Sequence, residues 1–336
     1  MDEHAPALSG SADPLPAPTA ATNDAALHVV FGVGQVGHAL IAQLVTSGCR
    51  VRAVAKHPPK ALPVEVEWSA ADVTDPVAAT AAAQGASVVY QCLNAPYTKW
   101  PELFPPLQRS VLAAAEAAGA LLVSLENVYG YGATHGVPMT EDLPLLATTV
   151  KGRTRAEMTR ELLTASEAGR VRIAIGRASD FFGAAVVEST LGERVFGNAL
   201  AGKRADFIGD PDFAHTYSYV SDVAAGLATL GSDPRAIGQV WHLPGPPTGT
   251  TTELLQIVAA EVGHPVGIRS VPKLMLRLLG LVNPMVRGLA EMAYEFDEPF
   301  VLDTTKFEST FASTGTPMAT AVAETIAWYR NRTSPT

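Results

Sequence analysis

The apolar positions of this chain fall into short β-prone runs separated by stretches with helical spacing. Residues 27–31 (LHVVF) open the series as a strand. A glycine-rich turn follows, and then Val36, Leu40, Ile41, Leu44 and Val45 recur on one face of a helix expected over 35–47, with Gly48 as its C-terminal cap. Further strands are expected over 51–55, 64–68, 87–91, 120–125 and 172–175. Helices are expected over 101–118, with Pro in the opening turn, and over 152–168. Strands that alternate with helices predict an α/β fold, a Rossmann-type doubly wound parallel sheet with helices on both faces. Beyond Gly183 the pattern loosens. Helices are expected near 191–201, 220–230, 251–262 and 317–329, while 240–243 (VWHL) reads as a strand that returns to the main sheet. The expected organisation is a disordered leader over 1–26, a nucleotide-binding domain over 27–183 and a smaller, interleaved substrate lobe over 184–336.

Composition narrows the function. Of 336 residues, 47% are hydrophobic and 17% charged, enough apolar material for a large core, which excludes a mainly disordered chain. Lys and Arg number 24 against 33 Asp and Glu, a net charge of −9 that argues against a nucleic-acid partner. Cys49 and Cys92 read as two free thiols in a reducing compartment. The leader holds Asp2, Glu3, Asp13 and Asp24, no Lys or Arg, and several Pro and Ala, which is unlike a signal peptide. The most apolar late stretch, 274–290, is broken by Arg277, Asn283, Pro284 and Arg287, so no bilayer span is expected. These features favour a soluble cytoplasmic protein with a small-molecule substrate.

The turn after the first strand reads Gly32-Val33-Gly34-Gln35-Val36-Gly37. In a GxGxxG turn the first glycine permits the tight bend, the second lets backbone approach a pyrophosphate, and the third lets helix and strand pack closely. The N–H groups of the helix start, at Gln35 and Val36, then face the phosphates. NAD sites usually carry an acid about 20 residues further on. Here the second strand ends in Ala55-Lys56-His57, with Arg52 and Lys60 nearby. Cations there suit the 2′-phosphate of NADP, which is the preferred cofactor, with NAD left open and a solvated basic turn as the opposing reading. Asp72 is placed either to reach an adenine amino group or to cap the helix beginning near Pro76.

With Ser124-Leu125-Glu126-Asn127-Val128-Tyr129-Gly130, Glu141 before Pro144, Arg177-Ala178-Ser179-Asp180-Phe181-Phe182-Gly183 and Tyr219-Val220-Ser221-Asp222-Val223-Ala224 in place, the chain resembles the short-chain dehydrogenase/reductase superfamily. It is most similar to the extended NAD(P)-dependent epimerase/dehydratase branch, over roughly residues 27–243. The resemblance implies a Tyr-x-x-x-Lys pair and a Ser for proton transfer, and often a dimer built on helices of the sheet. This chain departs from that pattern. Lys151 stands at the Tyr position, Arg155 at the Lys position and Leu125 at the Ser position, with Ser124 one residue early. A shift of one residue turns a strand side chain to the other face, so Ser124 substitutes only through a bulge. The resemblance also places His215 near an Arg that binds diphosphate in sugar-nucleotide enzymes.

Lys151 and Arg155 lie four apart on one helix face. Arg155 stays protonated, so its expected role is to bind ribose hydroxyls or a phosphate. Lys151 is the candidate acid/base, together with Tyr129 or Tyr131, and Asn127 is the orienting group; Asn94, Tyr97 and Glu126 sit on the same strand ends. The opposing reading makes Tyr129 a packing residue and Lys151 a surface lysine. No His pair or CxxC indicates a metal, and Ser270-Val271-Pro272-Lys273 lacks the companion motifs of acyl-transfer enzymes. The leading expectation is an NAD(P)-dependent oxidoreductase acting on a carbonyl or alcohol. The alternatives are a sugar-nucleotide epimerase or dehydratase with retained NAD, and a non-catalytic NADP sensor.

Overall fold

The computed structural model of the protein describes residues 26–271 and 273–333. The leader expected over 1–26 lies outside them, apart from Ala26. In chain order the first part contains β1 (Leu27–Phe31), α1 (Gln35–Thr46), β2 (Arg50–Ala55), β3 (Glu67–Ala70), α2 (Pro76–Ala82), β4 (Val88–Gln91), α3 (Trp100–Ala118), β5 (Leu121–Asn127), α4 (Val150–Glu167) and β6 (Arg172–Ala178). The remainder contains β7 (Asp180–Phe182), α5 (Asn198–Leu200), β8 (Ala205–Ile208), β9 (Ala214–His215), β10 (Tyr217–Tyr219), α6 (Val220–Ser232), β11 (Gln239–His242), β12 (Gly249–Thr250), α7 (Thr251–Val262), β13 (Ile268–Val271), α8 (Lys273–Gly280), α9 (Pro284–Glu291), α10 (Thr305–Phe311) and α11 (Met318–Thr333).

Seven strands form one parallel sheet in the order β3-β2-β1-β4-β5-β6-β11. Strand order reverses between β1 and β4, and in open α/β sheets ligands bind at the carboxyl ends beside such a reversal. Both faces are covered, which is why the strands read as continuous apolar runs. Leu40, Ile41 and Leu44 of α1 pack with Val223, Leu227 and Leu230 of α6 on one face. Val111 and Ala115 of α3 pack with Leu162 and Ala165 of α4 on the other. The second lobe has its own core, in which Phe182, Phe196, Tyr217, Leu254, Val322 and Tyr329 meet. No helix among the described residues is long and apolar enough to cross a membrane.

Several elements differ from the sequence expectation. The third strand is Glu67–Ala70 rather than 64–68, and Val64 is fully exposed. Pairing with β2 sets its place, with Arg52 opposite Glu67 and Ala55 opposite Ala70. The helix expected over 191–201 starts as a wide turn, in which Phe196 N–H reaches the Leu191 carbonyl, and becomes helical only at Asn198. Asp75, not Asp72, caps α2, accepting from the Val77 N–H at 2.9 Å. β5 pairs with β4 and β6 without interruption. There is no bulge, so Ser124 stays buried on the face opposite Leu125 and does not fill the Ser position.

Candidate active site

Each glycine of the turn after β1 meets a different constraint. Gly32 has φ +92°, and a Cβ there would lie 2.8 Å from the Cys92 carbonyl. A Cβ on Gly37 would lie 1.9 Å from the Gly32 carbonyl oxygen, so helix and strand touch through backbone. Gly34 is the opposite case. A Cβ there would meet nothing within 4 Å, and no side chain caps the helix that starts at Gln35. The N–H groups of Gln35 and Val36 thus border open space at the positive end of α1. This arrangement fits a dinucleotide pyrophosphate.

At the adenosine end, Lys56 Nζ lies 2.7 Å from Asp72 Oδ2, and Asp72 Oδ1 accepts from the Thr74 N–H and hydroxyl. These bonds hold the Asp72 carboxyl well below the usual carboxylate range. Arg52 is not available to a phosphate. It bonds Glu67 at 2.8 Å and the carbonyls of Ala82 and Gln84.

The proton-transfer end is rebuilt. Lys151 is 5% exposed, and its Nζ lies 3.1 Å from Glu291 Oε2 and 4.3 Å from the centre of the Tyr97 ring. The other Glu291 oxygen accepts from the Lys151 backbone N–H, which satisfies a free donor at the start of α4. Helix α9 approaches closely here because residue 288 is glycine. A Cβ on Gly288 would lie 2.8 Å from Lys151 Nζ and 3.0 Å from Tyr97. One turn on, Arg155 is 2% exposed. Its guanidinium lies over the Phe104 ring at 4.7 Å, with Nη2 3.4 Å from the Leu125 carbonyl. Tyr97, Trp100 and Phe104 form an edge-to-face ladder. The two cations that replace Tyr and Lys therefore stack on the protein's own rings.

Tyr129 follows β5 and packs on Trp100, with ring centres 5.8 Å apart. Its hydroxyl hydrogen-bonds that of Tyr97, and burial raises both phenols above their ordinary range. Asn127 Oδ1 accepts from the Tyr129 N–H at 3.3 Å and so holds the exit from the strand. Asn94 is exposed.

Tyr131 goes elsewhere. Its hydroxyl accepts from Arg177 Nη1 at 2.6 Å and donates to His242 Nε2 at 2.6 Å. His242 Nδ1 donates to the Asp303 carbonyl at 2.9 Å, which fixes the tautomer. Arg177 in turn pairs with Glu126, whose Oε2 accepts from Thr159 at 2.6 Å. Burial lowers His242 to about 3, so the ring is neutral, and raises Tyr131 to about 12. This chain ties β5, β6, β11 and α4 together in the core.

The second lobe adds residues absent from the sequence-based set. Asp180 on β7 bonds His215 at 2.9 Å, and His215 is buried, stacked on Phe296 with ring centres 4.9 Å apart. Tyr294 and Glu295 occupy a short turn after α9. Glu295 acts electrostatically on Tyr97, Tyr129 and Tyr294, and burial, followed by the Asp180 charge, raises its carboxyl well above the usual range.

Known proteins place this arrangement. The model of the NAD dependent epimerase/dehydratase family matches residues 28–243. The fold is similar to MoeE5 in complex with UDP-glucose and NAD, at 20% identity and a TM-score of 0.73, over 91% of this chain and 99% of that one. It is similar to UDP-N-acetylglucosamine 4-epimerase from Bacillus cereus, at 13% identity and a TM-score of 0.73, over 93% and 99%. It is also similar to dTDP-glucose 4,6-dehydratase from Bacillus anthracis in complex with NAD, at 14% identity and a TM-score of 0.74, over 92% and 98%. No curated protein sequence matches the chain. The matched span runs from β1 through β11, the whole of the parallel sheet, and on that ground the chain belongs to the NAD-dependent epimerase/dehydratase family.

Proposed function

We propose that the protein is an NAD(P)-dependent oxidoreductase acting on a carbonyl or alcohol group of a small molecule, with Tyr129 as the proton donor. The observation that carries this reading is the hydrogen-bonded pair Tyr129–Tyr97 beside Lys151, at the carboxyl ends of β4 and β5. A bound nicotinamide supplies the hydride donor or acceptor. In reduction, the carbonyl carbon gains the hydride and the oxygen takes the Tyr129 proton. Tyr97 returns a proton along the hydrogen bond, and the Lys151 charge stabilises the transient phenolate. Asn127 is a positioning residue, through its bond to the Tyr129 N–H. Tyr131 and Arg155 are assigned to the scaffold, because the hydroxyl of one and nearly all the surface of the other are taken up by protein contacts.

For the cofactor we propose NADP. The Lys56–Asp72 pair is solvent-exposed, and such pairs contribute about 0–1 kcal/mol, so a 2′-phosphate can recruit Lys56 from it. The test is a parallel equilibrium titration with NADPH and NADH, followed by a screen of carbonyl compounds. Binding of NADPH with turnover that Tyr129→Phe removes is the expected result. A protein that binds neither nucleotide has another function.

A further inference from the structure

Glu295 is 2% exposed, and its Oε1 has no hydrogen-bond partner. The hydroxyl of the adjoining Tyr294 is likewise buried and unpartnered. An unsatisfied buried polar group costs about 1–3 kcal/mol, and two neighbours in that state point to a ligand that completes them. They belong to the cluster that includes Tyr97, Tyr129 and Asp180.

The charges around this cluster are unequal. Lys151 is paired with Glu291, and His215 with Asp180. Arg177 is paired with Glu126, and Arg155 is enclosed by Phe104 and the Leu125 carbonyl. Arg287 on α9 bonds the carbonyls of Gly280 and Leu281. Each of these cations is already engaged, while the Glu295 carboxyl is left over. A phosphate entering here meets carboxyl groups and finds none of those cations free. An uncharged molecule meets hydroxyls and a carboxyl able to hydrogen-bond it.

We infer that Glu295 contacts the substrate, hydrogen-bonding a carbonyl or hydroxyl oxygen of an uncharged molecule, and that it sets the site against phosphate-bearing substrates. The assignment rests on the oxidoreductase reading above for the reaction but not for the binding. A carboxyl kept protonated by burial donates a hydrogen bond as well as accepting one, which an ionised carboxylate does not.

The test uses the full chain with saturating NADP. Calorimetric binding of cyclohexanone, benzaldehyde, glyceraldehyde and UDP-glucose is compared for wild type, Glu295→Gln and Glu295→Ala, between about pH 6 and about pH 9. NADPH titration of each variant checks that it is folded. At least one uncharged compound is expected to bind, about tenfold more weakly to Glu295→Ala and within about threefold of wild type to Glu295→Gln. Wild-type affinity falls toward the alkaline end as the carboxyl ionises, while Glu295→Gln stays flat. UDP-glucose is expected not to bind. Tighter binding of UDP-glucose than of any uncharged compound overturns the assignment, as does binding that both variants leave unchanged across pH, or no binding of the uncharged compounds. Binding without turnover leaves the assignment standing and removes the oxidoreductase reading. Turnover indifferent to both substitutions does the reverse.

Discussion

The two ends of the cleft have been treated differently. At the glycine turn the protein keeps side chains out: Gly34 faces open space, and the start of α1 has no side-chain cap. At the start of α4 it fills the space with its own groups, stacking Lys151 on Tyr97 and Arg155 on Phe104 and closing α9 over both through Gly288 and Glu291. A pyrophosphate has one chemistry and needs backbone N–H groups, so that end admits little variation. Proton transfer needs only a hydroxyl at the right place with its pKa suitably tuned, and a tyrosine from another loop can supply it.

The contrast is broken most directly at Tyr129. Tyr129→Phe is expected to lower kcat by about 10²–10⁴-fold, with NADPH affinity unchanged; equal loss of both would show that the two ends are not separable. pH sharpens the same point. Because burial raises the Tyr97 and Tyr129 hydroxyls, both remain protonated from neutral into alkaline solution. Carbonyl reduction should therefore stay level over that range, while alcohol oxidation, which needs the phenolate, should rise with pH. Steady-state rates in both directions check this.

Smaller effects concern stability. Gly37→Ala places a methyl group against the Gly32 carbonyl, and overpacking of this kind costs about 1–3 kcal/mol. Urea unfolding should show that loss together with weakened nucleotide binding. His242, lowered to about 3 from an unfolded value of about 6.5, favours the native state only while neutral. The unfolded chain takes up the proton first, so stability should fall as pH drops from about 6.5 toward about 3, and a conservative His242→Gln variant should flatten that slope. The smallest effect is expected at Lys56. Lys56→Ala should weaken NADPH by a few-fold, within the roughly 1 kcal/mol of an exposed pair, and leave NADH unchanged.

What could be read beforehand follows from how local each requirement is. The GxGxxG turn is legible because each glycine answers to atoms a few residues away or on the adjoining strand. β11 is legible because VWHL is apolar enough to need a buried place in a sheet. Tyr131 was paired with Tyr129 because they are neighbours in sequence, yet its hydroxyl turns to Arg177 and His242, contacts that spacing does not encode. Glu291, Tyr294 and Glu295 were missed because they act on α4 and on the loops after β4 and β5, far away along the chain. Their signal was present: three polar residues at intervals of three and one in an otherwise apolar stretch, Ala290 to Phe296. Arg155 was expected to reach a ribose, but the ring of Phe104, on a different helix, took that cation first.

The position of β11 has a consequence for how the protein is made. It completes the parallel sheet beside β6, but everything from β7 through α6 is synthesised between the two. While a ribosome builds that stretch, β6 is an open parallel edge carrying unpaired backbone groups, a template for pairing with other chains. The nascent chain passes through its most aggregation-prone stage between Ala178 and His242, and the nucleotide-binding half does not acquire a finished sheet until much of the second lobe has left the ribosome.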